Sequence, residues 1–189
     1  MSTHDVAIPV TRWRARRGRP RLPTPASPAS TPRGDAPLVS RVATADDGRL
    51  LAALVVRALR AAPGGRETPL AYPRRLELGA SQVDAGQVIL AERGDQVLGL
   101  AAIQGLADGD CELGALYVER DPWRTAVARL LVAHCADAAR LRGASVLHVA
   151  GAPRAELFHR GCGFELVGPR PGDGGAAQWL RMPLDREPG

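Results

Sequence analysis

Between Gln87 and Ala150 the hydrophobic pattern changes period twice, and that change constrains the fold more than any other feature of the chain. Val88 to Ala91 and Val97 to Gln104 are strand-like runs on either side of Gly94-Asp95, a spacing that reads as a hairpin. A second turn, Ala107-Asp108-Gly109-Asp110, leads into a third strand expected from Cys111 to Glu119. Beyond Asp121-Pro122 the spacing moves to three and four: Val127, Leu131, Ala138 and Leu141, with His134 among them, share one face of a helix that Gly143 ends. Ser145 to Ala150 returns to a strand. An antiparallel meander needs only short loops, whereas the strand, helix and strand over residues 111–150 are long enough for a parallel crossover. The expected class is mixed α and β around one central sheet.

The flanks complete this order. Leu38 to Val42 alternates as a first strand, and Thr44-Ala45-Asp46-Asp47 places a threonine cap and an acid three residues later, ahead of an apolar stripe from Leu50 to Leu59. Pro63-Gly64-Gly65 stops that helix, and a second short helix is expected around Arg74 to Ala80. Pro153 to Gly161 is a short helix opened by proline. Ala177 to Leu184 is a closing strand in which Leu180, Met182 and Leu184 share one face and Trp179 and Arg181 the other. Pro183 marks either an edge position or a strand that is finishing.

Two segments follow from this layout: an Arg- and Pro-rich tail over residues 1–37, expected to be disordered, and one domain over residues 38–189. The formal net charge is +5, and the tail accounts for all of it: seven arginines stand there against Asp5 and Asp35, and the remainder has as many acids as arginines. Basicity is thus no argument that the domain grips nucleic acid or a membrane; for the tail, an anionic-surface tether, nonspecific nucleic-acid attraction, targeting and a plain solvated extension are left open. Three widely spaced cysteines, Cys111, Cys135 and Cys162, contain no CxxC pair and indicate neither a zinc site nor a disulfide framework. With no long apolar run, a cytoplasmic chain without a membrane span or metal is expected.

The order and local text of residues 38–184 resemble the GNAT superfamily of N-acetyltransferases. The sharpest pieces are Glu112-Leu113-Gly114-Ala115-Leu116-Tyr117-Val118, similar to its fourth strand, and Ala152-Pro153-Arg154-Ala155-Glu156-Leu157-Phe158-His159-Arg160-Gly161-Cys162-Gly163-Phe164, similar to its last helix and the turn into the sixth strand. The resemblance implies a mostly antiparallel central sheet with flanking helices, in which the fourth and fifth strands splay apart around acetyl-CoA as co-substrate. By the same resemblance Leu116, Tyr117 and Val118 lend a backbone edge to the pantetheine amides, as a neighbouring strand would. An amide near Leu116 can polarise the thioester carbonyl.

The pyrophosphate is then expected at the start of the next helix, where free amides and the dipole favour anions. A gapless alignment gives Arg124-Thr125-Ala126-Val127-Ala128-Arg129, in which Arg124 matches the family and Val127 and Arg129 stand where glycines are usual. A shifted alignment instead puts Ala126 and Ala128 at the small positions.

For the chemistry, His159 stands where the family commonly has a tyrosine that protonates the departing thiolate. It is either that general acid or an idle surface or cleft residue. Glu112 is the first candidate for receiving the amine proton and Glu119 the second; simple alternation puts these two on opposite faces of the sheet. His134, on the apolar stripe, is expected as a hydrogen-bonded core histidine, and Cys111 and Cys135 as buried small residues. The implied function is acyl-CoA-dependent N-acyl transfer to an amine of a small molecule or protein, with a homodimer possible. The alternative is a degenerate domain that keeps the fold and binds a ligand or partner without catalysis.

Overall fold

The computed structural model describes residues 36–60, 80–119, 124–170 and 177–184. In chain order these contain β1 (Leu38–Val42), α1 (Gly48–Arg60), α2 (Ala80–Asp84), β2 (Val88–Arg93), β3 (Gln96–Gly105) and β4 (Cys111–Val118). They continue with α3 (Arg124–Leu141), β5 (Val146–Gly151), α4 (Glu156–Gly161), β6 (Glu165–Pro169) and β7 (Gln178–Pro183). The seven strands form one sheet in the order β1-β2-β3-β4-β5-β7-β6, and only the β4–β5 pair is parallel. This is the mixed, mostly antiparallel sheet with flanking helices that the sequence led us to expect. The tail expectation falls almost wholly outside the described residues, as does the second helix expected at Arg74–Ala80 except for Ala80, where α2 begins.

The entry into α1 is built as its sequence implies. The Asp47 carboxylate accepts hydrogen bonds from the Thr44 amide at 2.7 Å and hydroxyl at 3.1 Å, and Arg41 on β1 grips both its oxygens at 2.7 and 2.8 Å. Those charge-assisted bonds outweigh burial and hold the Asp47 carboxyl at about 2. At the β2–β3 hairpin, Gly94 takes a positive φ of 58° while Asp95 does not, the pattern of a tight turn whose first central residue must be glycine.

The sheet is packed on both faces. Over one, α3 buries Val127, Leu131, Val132, Cys135 and Ala139 against Ile89, Leu98, Ala101, Leu113, Leu116, Leu147, Val149 and Leu180. Over the other, Leu51 and Leu54 of α1 and Val83 of α2 meet Val88, Leu90, Leu100, Ala115 and Tyr117. Leu141, expected on the α3 stripe, is instead 64% exposed. The stripe runs on to Arg142, whose guanidinium bonds the Ala138 and Gly86 carbonyls at 2.9 and 2.7 Å and so closes the helix, with Gly143 at φ 82° behind it. His134 is hydrogen-bonded as expected but half-buried, at the rim of the core and not inside it: its Nδ1 lies 2.9 Å from Ser40 Oγ on β1, and burial lowers its pKa.

Two irregularities in register decide which side chains share a face. Opposite β2, Ala91 pairs with Gly99 and Glu92 with Val97, so β3 carries an extra residue at Leu98. Opposite β3, Ala102 pairs with Ala115 and Ile103 with Leu113, so β4 carries an extra residue at Gly114. The bulge at Gly114 reverses the alternation of β4. Cys111, Leu113 and Leu116 face α3, whereas Ala115 and Tyr117 face α1. Glu112 and Glu119 therefore stand on the same side of the sheet, not on opposite sides as strict alternation would have it. Glu119 accordingly pairs with Arg57 of α1.

Strand β6 was legible only through the family resemblance. Its residues Glu165, Leu166 and Val167 are all exposed, and Val167 is an extra residue that shifts its register with β7, so no alternation of buried and exposed positions marks it. Pro183 closes β7, an inner strand, as a residue that finishes the strand opposite Val146.

Candidate active site

The β4–β5 pairing lasts three residues: Cys111, Glu112 and Leu113 against Leu147, His148 and Val149. Beyond them β4 runs on to Val118 beside β3, while β5 runs on to Gly151 beside β7. The two strands therefore part from Gly114 onward. The direction of the free backbone groups follows from the ladder on the other side. The Glu119 amide donates to the Leu98 carbonyl at 2.8 Å, so Tyr117 and Glu119 turn their backbone groups to β3. Leu116 and Val118 turn theirs to the gap. The three residues expected at the cofactor edge thus divide: two offer N–H and C=O to the gap, and Tyr117 lies between them with its ring buried under α1.

Gly99 sets how closely this edge sits to its neighbours. A Cβ there would lie 2.6 Å from the Tyr117 carbonyl oxygen and 3.2 Å from methyl carbons of Val127 and Leu131. Only glycine lets β3, β4 and the start of α3 meet at that point.

Helix α3 begins six residues after β4 ends, and Val127 in its first turn packs beside Gly99, which also meets the Tyr117 carbonyl of β4. Thr125 and Ala126 are exposed there, while the Val127 and Ala128 side chains are buried. Val127 points into the core beside Gly99, so anything it offers an anion is its backbone amide. Each alignment thus puts one of its two small positions in the core, Val127 in the gapless one and Ala128 in the shifted one. Arg129 is exposed and leans toward the C-terminal end of α4, where a Cβ on Gly161 would be 3.5 Å from its guanidinium. Its charge partly offsets the burial that raises the Cys162 thiol pKa. The side chain of Arg124 lies outside the described residues.

His159, on α4, is fully buried, which excludes the idle surface residue. Its ring meets Phe158 and Phe164 edge-on at 5.3 and 5.6 Å, and a Cβ on Gly151 would lie 3.1 Å from its Nε2. The glycine at the end of β5 is what lets the imidazole stand against that strand, on the β5 side of the gap.

Glu112 is buried on the α1 side of the sheet at the point where the strands begin to part. Its carboxylate accepts from Arg170 at 3.0 and 3.3 Å and from Gln104 at 3.0 Å. Arg170 lies over the Trp179 ring, 5.1 Å from its centre, and Trp179 stacks on His148 at 5.0 Å with 10° between the planes. His148 Nε2 stands 3.5 Å from Asp110, whose other oxygen accepts the Ser145 and Val146 amides. None of Arg170, His148 or Asp110 was singled out from the sequence. The alternation of β7, which turns Trp179 away from the core, was the one available signal. Among the described residues no group of three or more His, Cys, Asp or Glu could hold a metal ion, and no helix is long and apolar enough to cross a membrane.

Residues 42–164 match the family model described as Acetyltransferase (GNAT) family, and the chain belongs to that family. Among solved structures it is similar to N-acetylglutamate synthase from Neisseria gonorrhoeae complexed with coenzyme A and N-acetyl-glutamate, at TM-score 0.63 and 22% identity over 80% of this chain. It spans only 36% of that synthase. It is similar across 99% of the N-acetyltransferase from Thermoplasma acidophilum in complex with coenzyme A, at TM-score 0.61 and 12% identity over 78% of this chain. The aminoglycoside 6'-N-acetyltransferase from Enterococcus faecium gives TM-score 0.58 and 13% identity, over 80% of this chain and 99% of that one. No curated protein matches the chain in sequence.

Proposed function

We propose that the chain transfers an acetyl or related acyl group from acyl-CoA to an amine by direct attack. The observation that carries this is the parting of β4 from β5 after three residue pairs, which leaves Leu116 and Val118 with backbone groups aimed into the gap. Those groups match the amides of pantetheine as they would match a strand, and the coenzyme A named in two of the similar structures fits the same reading. The coenzyme supplies the activated thioester; this chain's residues bind, orient and move protons. The Leu116 amide can polarise a thioester carbonyl, and the first-turn amides of α3, from Arg124 to Val127, suit the pyrophosphate, with Thr125 and Ala126 exposed there, Val127 and Ala128 turned into the core and Arg129 adding charge. The amine nitrogen forms its bond to the acyl carbon as the carbon–sulfur bond breaks. Glu112 receives the amine proton, directly or through a water, and His159 returns one to the thiolate sulfur from the β5 side.

A degenerate, binding-only domain has one observation in its favour, namely that Glu112 is already occupied by Arg170 and Gln104. Thermal unfolding with saturating acetyl-CoA, followed by assay of free thiol released with a panel of amines, separates the two. Binding at a hundred times Kd adds about 2.7 kcal/mol of stability. Stabilisation with thiol release supports the transferase, whereas stabilisation without release, or no stabilisation at all, supports the domain that binds without catalysis.

A further inference from the structure

The face of the sheet that carries Glu112 holds a cation in a built setting, and the cation comes from the chain itself. The Glu112 side chain is 4% exposed and the Arg170 side chain 21%, so the guanidinium is what covers the carboxylate. Gln104 Nε2 bonds the carboxylate from one side, and the indole of Trp179 lies under the guanidinium, held in place by its stack on His148. A buried carboxylate plus an aromatic face is the chemistry that receives ammonium and guanidinium groups. A carboxylate so enclosed is costly to leave without a cation, so Arg170 leaves only if another monocation takes its place.

We propose that Glu112 and the face of Trp179 form the subsite for the positively charged end of the acceptor, and that Arg170 fills this subsite until the acceptor displaces it. The proposal rests on the acyl-transfer reading for the identity of the ligand as an acceptor. A primary alkyl amine, with a pKa near that of lysine at about 10.4, is cationic at neutral pH and can make the exchange. A neutral aromatic amine cannot, and an acceptor whose reacting end is flanked by a carboxylate would meet Glu112 as a like charge. Arg170 is thus a specificity-determining residue that selects for alkyl cations.

The test uses the full chain without any CoA, so its failure is separate from failure of the acyl-transfer reading. Methylguanidinium and ethylammonium are titrated into the wild type, Arg170→Ala and the double variant Arg170→Ala with Glu112→Gln. Methylurea is the neutral control. Binding is read from the shift in unfolding temperature and from the Trp179 indole N–H resonance, assigned with Trp179→Phe. The expected result is that Arg170→Ala binds the cations about tenfold tighter than the wild type, that the double variant loses this gain, and that methylurea binds none of them. If Arg170→Ala does not fold, Arg170→Met keeps an apolar stem over Trp179 and carries the same comparison. Equal cation binding by wild type and variant, a gain that survives loss of the Glu112 charge, or equal binding of methylurea would overturn the proposal.

Discussion

Replacing Gly99 by alanine places a methyl carbon 2.6 Å from the Tyr117 carbonyl oxygen, with Val127 and Leu131 methyl carbons at 3.2 Å on the other side. Side-chain carbons essentially never sit within 3.0 Å of such an atom, so β3 and β4 must separate by about 0.4 Å or more, and both methyl neighbours on α3 give way as well. The Tyr117 carbonyl belongs to backbone that cannot rotate aside, so the cost belongs with overpacked cores, about 2 to 3 kcal/mol. For a domain of roughly 150 residues that lowers the unfolding temperature by about 4 to 12 °C. Urea unfolding should give a lower midpoint at unchanged slope, since the exposed area is the same. Because the same wedge displaces the backbone between Leu116 and Val118 and the start of α3, acetyl-CoA affinity should fall along with stability. Gly114 is the control: a Cβ there first meets Gln104 Cδ at 3.6 Å, an ordinary contact, so Gly114→Ala should stay within about 0.5 kcal/mol of the wild type. Gly99→Ala as stable as Gly114→Ala would refute the close-approach reasoning.

Other outcomes follow from single contacts. Asp47, held at about 2 against its ordinary value of 3.8, contributes stability that is fully present above pH 4 and is lost as the pH falls through about 2. Allowing for the partial exposure of Arg41, about 1 to 2 kcal/mol is at stake, and Asp47→Asn should lower the unfolding free energy at neutral pH by that much while flattening its acid limb. His159→Phe fills a wholly buried aromatic site and should keep acetyl-CoA binding while lowering thiol release about 100-fold or more; unchanged turnover would remove His159 as the acid. Arg142→Ala strips the Ala138 and Gly86 carbonyls of their donors and should cost about 1 to 3 kcal/mol by thermal unfolding, with little change in cofactor affinity.

Much of the frame was legible because it rests on local periodicity. The hairpin at Gly94, the α3 stripe from Val127 to Ala138, the hydrogen-bonded place of His134 and the outward turn of Trp179 each follow from spacing that tertiary structure left intact. What was hidden depends on register between strands. The extra residue at Gly114 is invisible without the β3 partner, yet it alone brings Glu112 and Glu119 to one face. Arg170 meets Glu112 across 58 positions, from the end of a strand whose exposed residues gave no pattern. The burial of Val127 beside Gly99 is likewise visible only in the packed structure.

Amide hydrogen exchange, resolved by residue, reads the β4 edge itself. Tyr117 and Glu119 are bonded to β3 and should exchange slowly with or without ligand. Leu116 and Val118 face the gap, and saturating acetyl-CoA should slow both of them while leaving Tyr117 and Glu119 unchanged. No added protection at Leu116 and Val118, in a protein that demonstrably binds acetyl-CoA, would contradict the assignment of this edge as the cofactor site.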